Sequence, residues 1–400
     1  MKKVCLVFIF MALVFIVSAQ TYQQYSFKGQ GIYGNILKHT KHLKALVQGP
    51  AIGGEMAVEW QTVGEKPWQQ FLNFPVVGIG AVWLNLSNPD KLGNALAIYP
   101  YINFPLWRTH YFNLYLKAGM GASYLTKTYY NTNTDAMGNL LPLDSANAAI
   151  GSHLNIYFSG GGSLEFPLNN GLSAVAEYTW NHASNGSAVA PNSGINFLNA
   201  FVGLKYCPNY KSIDEFKKKK YHDIPRILTY EIVAASGFRQ LYYADNKTYP
   251  TASLAFGVYR PFTNFYRMGL GVDAFYDGVY DGQNSQAWQR TYITSDEFKN
   301  KLRLGVSWQH ELLIGRMSAG FHFGLYLYNP LKNLEPYTDA KNGTLNKWLI
   351  YPYNIEKEDG WLYTRAALKY AVSDHYFISL GLKTHLQKAE FIEWGLGYQL

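Results

Sequence analysis

The stretch NHASNGSAVAPNSGIN, residues 181–196, brings together the side chains that nucleophilic ester cleavage requires. His182 and Ser184 stand two positions apart, and a loop rich in Asn, Gly and Pro leads from them to Asn196. A serine hydroxyl attacks an acyl carbon only when a neighbouring base accepts its proton. His182 is placed to be that base for Ser184, and Asn196 to hold the imidazole in the productive tautomer. Asn185 and Asn192, with the backbone N–H of glycines such as Gly186, offer donors for the oxyanion of a tetrahedral intermediate. The same residues also make an ordinary polar strand end followed by a turn. Direction separates the two readings, because the pair is useful only if both side chains emerge together, toward a substrate.

Strand periodicity supplies that direction. In GLSAVAEYTWNHAS, residues 171–184, Leu172, Ala174, Ala176, Tyr178 and Trp180 fall on one face and Ser173, Glu177, Thr179 and Asn181 on the other. His182 and Ser184 continue the apolar row. After the loop, Asn196 heads the row Leu198, Ala200, Val202, Leu204 and Tyr206, with Asn199 and Lys205 opposite. Unpaired polar groups on an apolar face are costly, and catalysis on a lipid explains why three of them stand there. Glu177, on the opposite face, is not positioned to serve as an acid for His182.

The apolar face itself faces a membrane. The chain carries 33 Tyr, 10 Trp and 36 Gly with only 16% charged residues, a composition suited to strands whose aromatic residues girdle a bilayer. It opens with Lys2 and Lys3, an apolar run and Val17-Ser18-Ala19, the pattern of a secretory signal peptide over residues 1–19. Beyond it, no run reaches the ~20 apolar residues of a spanning helix. Cys207 is then the single thiol of the mature chain, which excludes an intramolecular disulfide and a cysteine zinc site. KLRLGVSWQHEL from 301 and EFIEWGLGYQL at the C-terminus alternate in the same way, the latter placing Ile392, Trp394, Leu396, Tyr398 and Leu400 on one face. A terminal strand of this kind is similar to the recognition signal of outer-membrane barrels.

Alternating segments begin near 26, 54, 74, 94, 109, 153, 171, 195, 227, 250, 264, 301, 315, 360, 375 and 390. The fold class is therefore all-β, a transmembrane antiparallel β-barrel of the bacterial outer membrane spanning residues 20–400 with about 16 strands. Short periplasmic turns are expected at Pro105–Arg108, Pro167–Gly171, Pro261–Asn264 and Ser373–His375, and long outer loops around 125–150, 278–300 and 328–359. Residues 64–73 and the basic segment 209–226 are longer periplasmic connections. The latter separates a half carrying the site, 20–208, from a second set of strands, 227–400. One wide barrel is expected, since a tandem must close two seams; two eight-stranded barrels are the alternative.

The motif H-x-S-N followed by P-N-x-G-x-N, on adjacent barrel strands, resembles the lipid A 3-O-deacylase family known as PagL. EWQT at 59–62, NPDKLG at 88–93, AIGSHLN at 149–155 and KTHLQKAEFIEWGLGY near the C-terminus resemble a longer, two-half branch of it. The resemblance implies an outer-membrane esterase acting on lipid A of lipopolysaccharide, with Ser184 as nucleophile, His182 as base and Asn185 and Asn192 as supporting residues. Asn196 stands where the family's well-known members carry Glu, and an amide orients a histidine without stabilising an imidazolium by charge. Familiar members have about eight strands, so the second half lies outside their pattern.

A net charge of +8 at pH 7 suits anionic lipopolysaccharide head groups. No phosphate cradle or dinucleotide fingerprint stands in a strand-turn-helix context, so no cofactor and no metal are expected. Lys217–Lys220 reads as a solvated turn in a compartment that offers no nucleic acid. His153 reads as a satisfied rim histidine, and His39 and His42 as an outer-loop surface. His385 with Glu390 and Glu393 forms another His/carboxylate grouping but lacks a serine two residues away. Two other readings stay open: a non-catalytic pore or scaffold in which Asn196 records a lost triad, and a phospholipase.

Overall fold

The computed structural model describes residues 24–133, 137, 139, 147–210, 216, 218–241, 247–280, 297–330, 360–385 and 388–400. The signal segment, Lys217 and most of the loops expected at 125–150, 278–300 and 328–359 lie outside the described residues. Eight antiparallel strands form the first unit: β1 (Gln24–Ile36), β2 (Ala51–Gln61), β3 (Val76–Asn85), β4 (Asn94–Arg108), β5 (Asn113–Leu125), β6 (Leu154–Asn169), β7 (Leu172–Ser184) and β8 (Ile195–Tyr206). Eight more form the second: β9 (Thr229–Arg239), β10 (Tyr249–Pro261), β11 (Tyr266–Asp277), β12 (Leu302–Ile314), β13 (Met317–Tyr328), β14 (Leu362–Ala371), β15 (Tyr376–His385) and β16 (Lys388–Gln399).

The two sets close separately. β1 pairs with β8 from Phe27↔Tyr206 to Ile36↔Phe197, and β9 pairs with β16 from Glu231↔Gln399 to Phe238↔Ile392. Each unit is thus a closed eight-stranded barrel, and the division within the linker falls between Tyr221 and His222. The expected strand number holds, whereas the single wide barrel gives way to the tandem.

The interiors supply the physical reason. An eight-stranded barrel is just wide enough to be filled by its own side chains, and the inward rows carry charges that satisfy one another across each lumen. In the first, Lys28 lies 2.6 Å from Glu177 and 3.3 Å from both Glu55 and Glu59, while Lys117 meets Glu177 at 2.7 Å. In the second, Lys369 bridges Glu231 (2.5 Å) and Glu311 (3.0 Å), Arg267 reaches Glu311 at 2.8 Å, and Arg365 pairs with Glu393. Buried charges are stable only when paired, and these pairs need the narrow lumen.

Strand starts lie close to their expected positions; β5, expected near 109 and beginning at Asn113, is the furthest displaced. Pro105–Arg108 is not a turn. It belongs to β4, which is irregular between Pro105 and Trp107, and the chain reverses at Thr109–Phe112, where Thr109 N–H and Oγ1 both donate to Phe112 O. The connection at 64–73 contains a short helix, α1 (Pro67–Phe71).

The outer end of the first barrel is closed by apolar packing that positions the site. The β1–β2 connection holds a second short helix, α2 (Lys41–Leu46), whose cap Thr40 accepts from Leu43 N–H. Leu43 and Leu46 are buried in one cluster with Leu86, Leu92, Ile150, Ile195 and Phe197. Ile195 and Phe197 point inward on either side of Asn196, so burying them aims Asn196 outward.

Candidate active site

β7 keeps the expected parity to its end. Ser173, Val175, Glu177, Thr179 and Asn181 are buried inside the barrel; Tyr178 and Trp180 are exposed on its outer wall, and His182 and Ser184 follow them on that row. The β7–β8 register sets His182 directly opposite Asn196. His182 Nδ1 lies 2.8 Å from Asn196 Oδ1, and its Nε2 lies 2.9 Å from Ser184 Oγ. An amide oxygen only accepts, so with Oδ1 facing the ring the proton sits on Nδ1 and Nε2 is free to receive the serine proton. Trp180 stacks on the imidazole at 5.7 Å between centroids and 13° between planes, restraining the ring.

The loop 185–194 packs tightly around this pair. Gly194 has φ +71°, and a Cβ there would lie 2.6 Å from His182 Cε1 and 3.3 Å from Ser184 Cβ. Only glycine combines that backbone conformation with room for the ring. Asn185 is buried and braces the loop: its Nδ2 donates to Ser152 Oγ (2.8 Å) and Val189 O (2.9 Å), and its backbone N–H donates to Asn192 Oδ1 at 3.2 Å. Its side-chain amide is therefore committed, and it holds the loop instead of offering an oxyanion donor. Gly186 N–H and Asn192 Nδ2 make no hydrogen bond among the described residues. A third short helix, α3 (Tyr129–Thr132), sends the Tyr130 hydroxyl to Ala190 O at 2.7 Å, and burial raises that phenol above its ordinary range, so it stays a donor.

Other histidines fall as follows. His153 stacks on Tyr124 and its Nδ1 faces Leu125 O at 2.7 Å, a satisfied rim residue. His385 faces Glu390 at 3.0 Å inside the second barrel, where Glu393 is also buried. The side chain of His42 lies outside the described residues, and His39 is exposed as expected of an outer-loop surface, with its Nδ1 3.4 Å from Asn196 Nδ2 and its Nε2 3.2 Å from Ser193 O. Sequence reasoning missed His39 and Gly194. The β1–β8 pairing that carries His39 to Asn196 follows only from barrel closure, while Gly194, two residues before Asn196, was visible as a glycine at a strand entry. Among the described residues no cluster of three His, Cys, Asp or Glu is placed to hold a metal ion, and none of their helices is long and apolar enough to cross a membrane.

Residues 52–205 match the family model described as lipid A 3-O-deacylase (PagL), and residues 228–338 and 349–400 match the model described as acyloxyacyl hydrolase, C-terminal domain. The chain belongs to the PagL family. It is accordingly an outer-membrane β-barrel of the lipid A deacylases, and the second barrel, beyond the pattern of the eight-stranded members, has a family model of its own. No curated protein matches the chain in sequence. Among solved structures, the outer-membrane enzyme PagL is similar at 18% identity over 45% of this chain and 98% of that one, with a TM-score of 0.29. Neisserial surface protein A follows at 8% identity over 46% and 96%, TM-score 0.27, and a mutant of Rh. blastica porin at 7% over 94% and 100%, TM-score 0.17.

Proposed function

We propose that this PagL-family chain is a serine esterase that removes the 3-O-linked acyl chain of lipid A, with Ser184 as nucleophile, His182 as general base and acid, and Asn196 as the group that orients His182. The observation that carries the reading is the continuous relay from Asn196 Oδ1 through His182 to Ser184 Oγ, at 2.8 and 2.9 Å, on the outward row of the barrel wall where acyl chains pass. Cleavage of the signal after Ala19 delivers the chain to that membrane.

Ser184 Oγ forms a bond to the ester carbonyl carbon as its proton moves to His182 Nε2, and the carbonyl π pair becomes an oxyanion. Gly186 N–H and Asn192 Nδ2 are the donors proposed to receive that charge. Collapse breaks the bond from carbon to the sugar oxygen, which leaves with the proton from His182. Water then attacks the acyl-serine, His182 taking its proton and returning it to Ser184, and the fatty acid departs. The base must start neutral, so the rate rises with pH through the His182 titration.

Mass spectrometry of lipid A from cells with and without the protein tests this. Loss of one ester-linked hydroxyacyl chain is expected. An unchanged spectrum in a permissive host means a non-catalytic barrel, and fatty acid released from glycerophospholipid with lipid A intact means a phospholipase.

A further inference from the structure

The exchange of the family's acid for Asn196 raises a problem. A carboxylate presents the same oxygen to the imidazole either way round, whereas an amide can turn over. With Oδ1 toward His182, Nδ1 carries the proton and Nε2 accepts from Ser184. With Nδ2 toward His182, the amide donates to Nδ1, the proton moves to Nε2, and the base is occupied. Something must choose between these orientations, and the group touching the far side of the amide is His39.

His39 leaves the end of β1 in a segment held at both sides. Leu37 N–H donates to Asn196 O at 2.8 Å, and Leu43 and Leu46 of α2 are buried in the apolar cap. Among the described residues its ring nitrogens have three polar neighbours: Nε2 faces Ser193 O at 3.2 Å, and Nδ1 faces Leu37 O at 3.1 Å and Asn196 Nδ2 at 3.4 Å. With one proton, carried on Nε2 and donated to Ser193 O, bare Nδ1 accepts from Asn196 Nδ2 and turns Oδ1 toward His182, and Leu37 O keeps only the hydrogen bond it accepts from His39 N–H at 2.9 Å. Two protons satisfy the neighbours differently. Both ring N–H groups then donate to the carbonyls of Leu37 and Ser193, and Nδ1–H opposes the Asn196 amide nitrogen, favouring the turned-over amide.

We propose that His39 is a positioning residue for the Ser184–His182 pair: neutral, it locks the Asn196 amide and so the working tautomer of His182; protonated, it reverses the amide and disables the base. The inference rests on the esterase reading of the site. His39 is exposed, and histidine is the side chain that changes charge between about pH 5 and 8. The titratable group facing it from β7 is His182, behind the amide. The loop 185–194 and residues 195–201 of β8 contribute none, and its own segment brings Lys38 and Lys44, both exposed, and Lys41 and His42, whose side chains lie outside the described residues.

The test uses the full chain in detergent micelles, with ¹⁵N-histidine NMR reporting which nitrogen of His182 is protonated, and acyl release from lipid A measured over the same pH range. In the wild type, His182 is expected to be Nδ1-protonated at pH 8 and to pass to the Nε2-protonated tautomer as His39 takes up its proton. In His39→Gln, whose amide oxygen still accepts from Asn196 but does not titrate, the first tautomer should persist until His182 itself is protonated. The acid limb of kcat/KM should steepen toward two protons in the wild type and fall to one in His39→Gln, with activity at pH 8 within about threefold of the wild type; His39→Ala should lose about tenfold in kcat with KM little changed. A His182 tautomer indifferent both to pH above its own titration and to His39→Gln overturns the proposal. Because the NMR readout needs no turnover, a chain that releases no acyl group at any pH yet shows the tautomer change refutes the esterase reading and leaves the His39–Asn196 coupling standing.

Discussion

Each barrel carries a histidine on its outer wall beside a tryptophan, and the two differ in what surrounds the ring. His182 stacks on Trp180, reaches across to Asn196 on β8 and has Ser184 two residues on, where β7 gives way to the loop 185–194. His310 lies 4.0 Å from Trp308 between ring centroids and reaches across to Tyr266 on β11, whose hydroxyl is 2.6 Å from its Nδ1. Leu312 stands two residues on from His310, whose Nε2 is buried without a hydrogen-bond partner among the described residues, and the strand ends at the two-residue turn Gly315–Arg316. An outward imidazole beside an aromatic ring is therefore a feature of both walls. The chemistry proposed for His182 requires the serine at the same-face spacing and a loop that packs without crowding the ring.

The sharpest way to break that contrast is to remove the serine. Ser184→Ala should lower kcat for acyl release by roughly 10⁴-fold or more, with the barrel intact by heat-dependent gel mobility, whereas His310→Ala should leave acyl release unchanged. The reciprocal change, Leu312→Ser, gives the second barrel the His-x-Ser spacing without the loop. Combined with Ser184→Ala it should restore nothing, and any recovered activity would mean that spacing alone suffices.

Gly194→Ala addresses the loop. A Cβ 2.6 Å from His182 Cε1, on a backbone with φ +71°, must displace the imidazole, and a misplacement near 1 Å costs about 10²-fold in rate. Asn196→Asp sharpens the other side of the contrast by giving the imidazolium a counter-charge that neither barrel wall now offers. Acyl release should rise by about tenfold or more, and its acid limb should shed the dependence on His39. The smallest effect on activity is expected deep in the lumen. Glu177→Gln strips Lys28 and Lys117 of their nearest partner and should destabilise the first barrel by about 3–5 kcal/mol in denaturant unfolding, with acyl release changed by no more than about twofold.

Much of the architecture was legible because a strand repeats every two residues. Alternation located every strand start within a few positions and told inside from outside in β7, β8, β12 and β16. It misjudged the run at Pro105–Arg108, where proline suggested a turn but β4 absorbs it with an irregular register. In the site, His182, Ser184 and Asn196, singled out by their spacing, lie within hydrogen-bond distance of one another in series. The ties of Asn185 to Ser152 and Val189 were not legible, since a polar side chain in a loop reads the same whether it faces a substrate or braces the loop.

By itself the sequence determined which side chains share a face, because side-chain direction along a strand is local and alternates whatever the strand pairs with. Closure belonged to the tertiary structure. One sixteen-stranded barrel and two eight-stranded ones display the same alternation, and the choice depends on β8 meeting β1 across the first lumen and on the buried Lys–Glu pairs that fill it. The same long-range pairing brings the exit of β1 beside the entry of β8, and with it His39 to the far side of Asn196. No spacing along the chain foretells that contact, since 157 positions separate the two residues until the barrel closes.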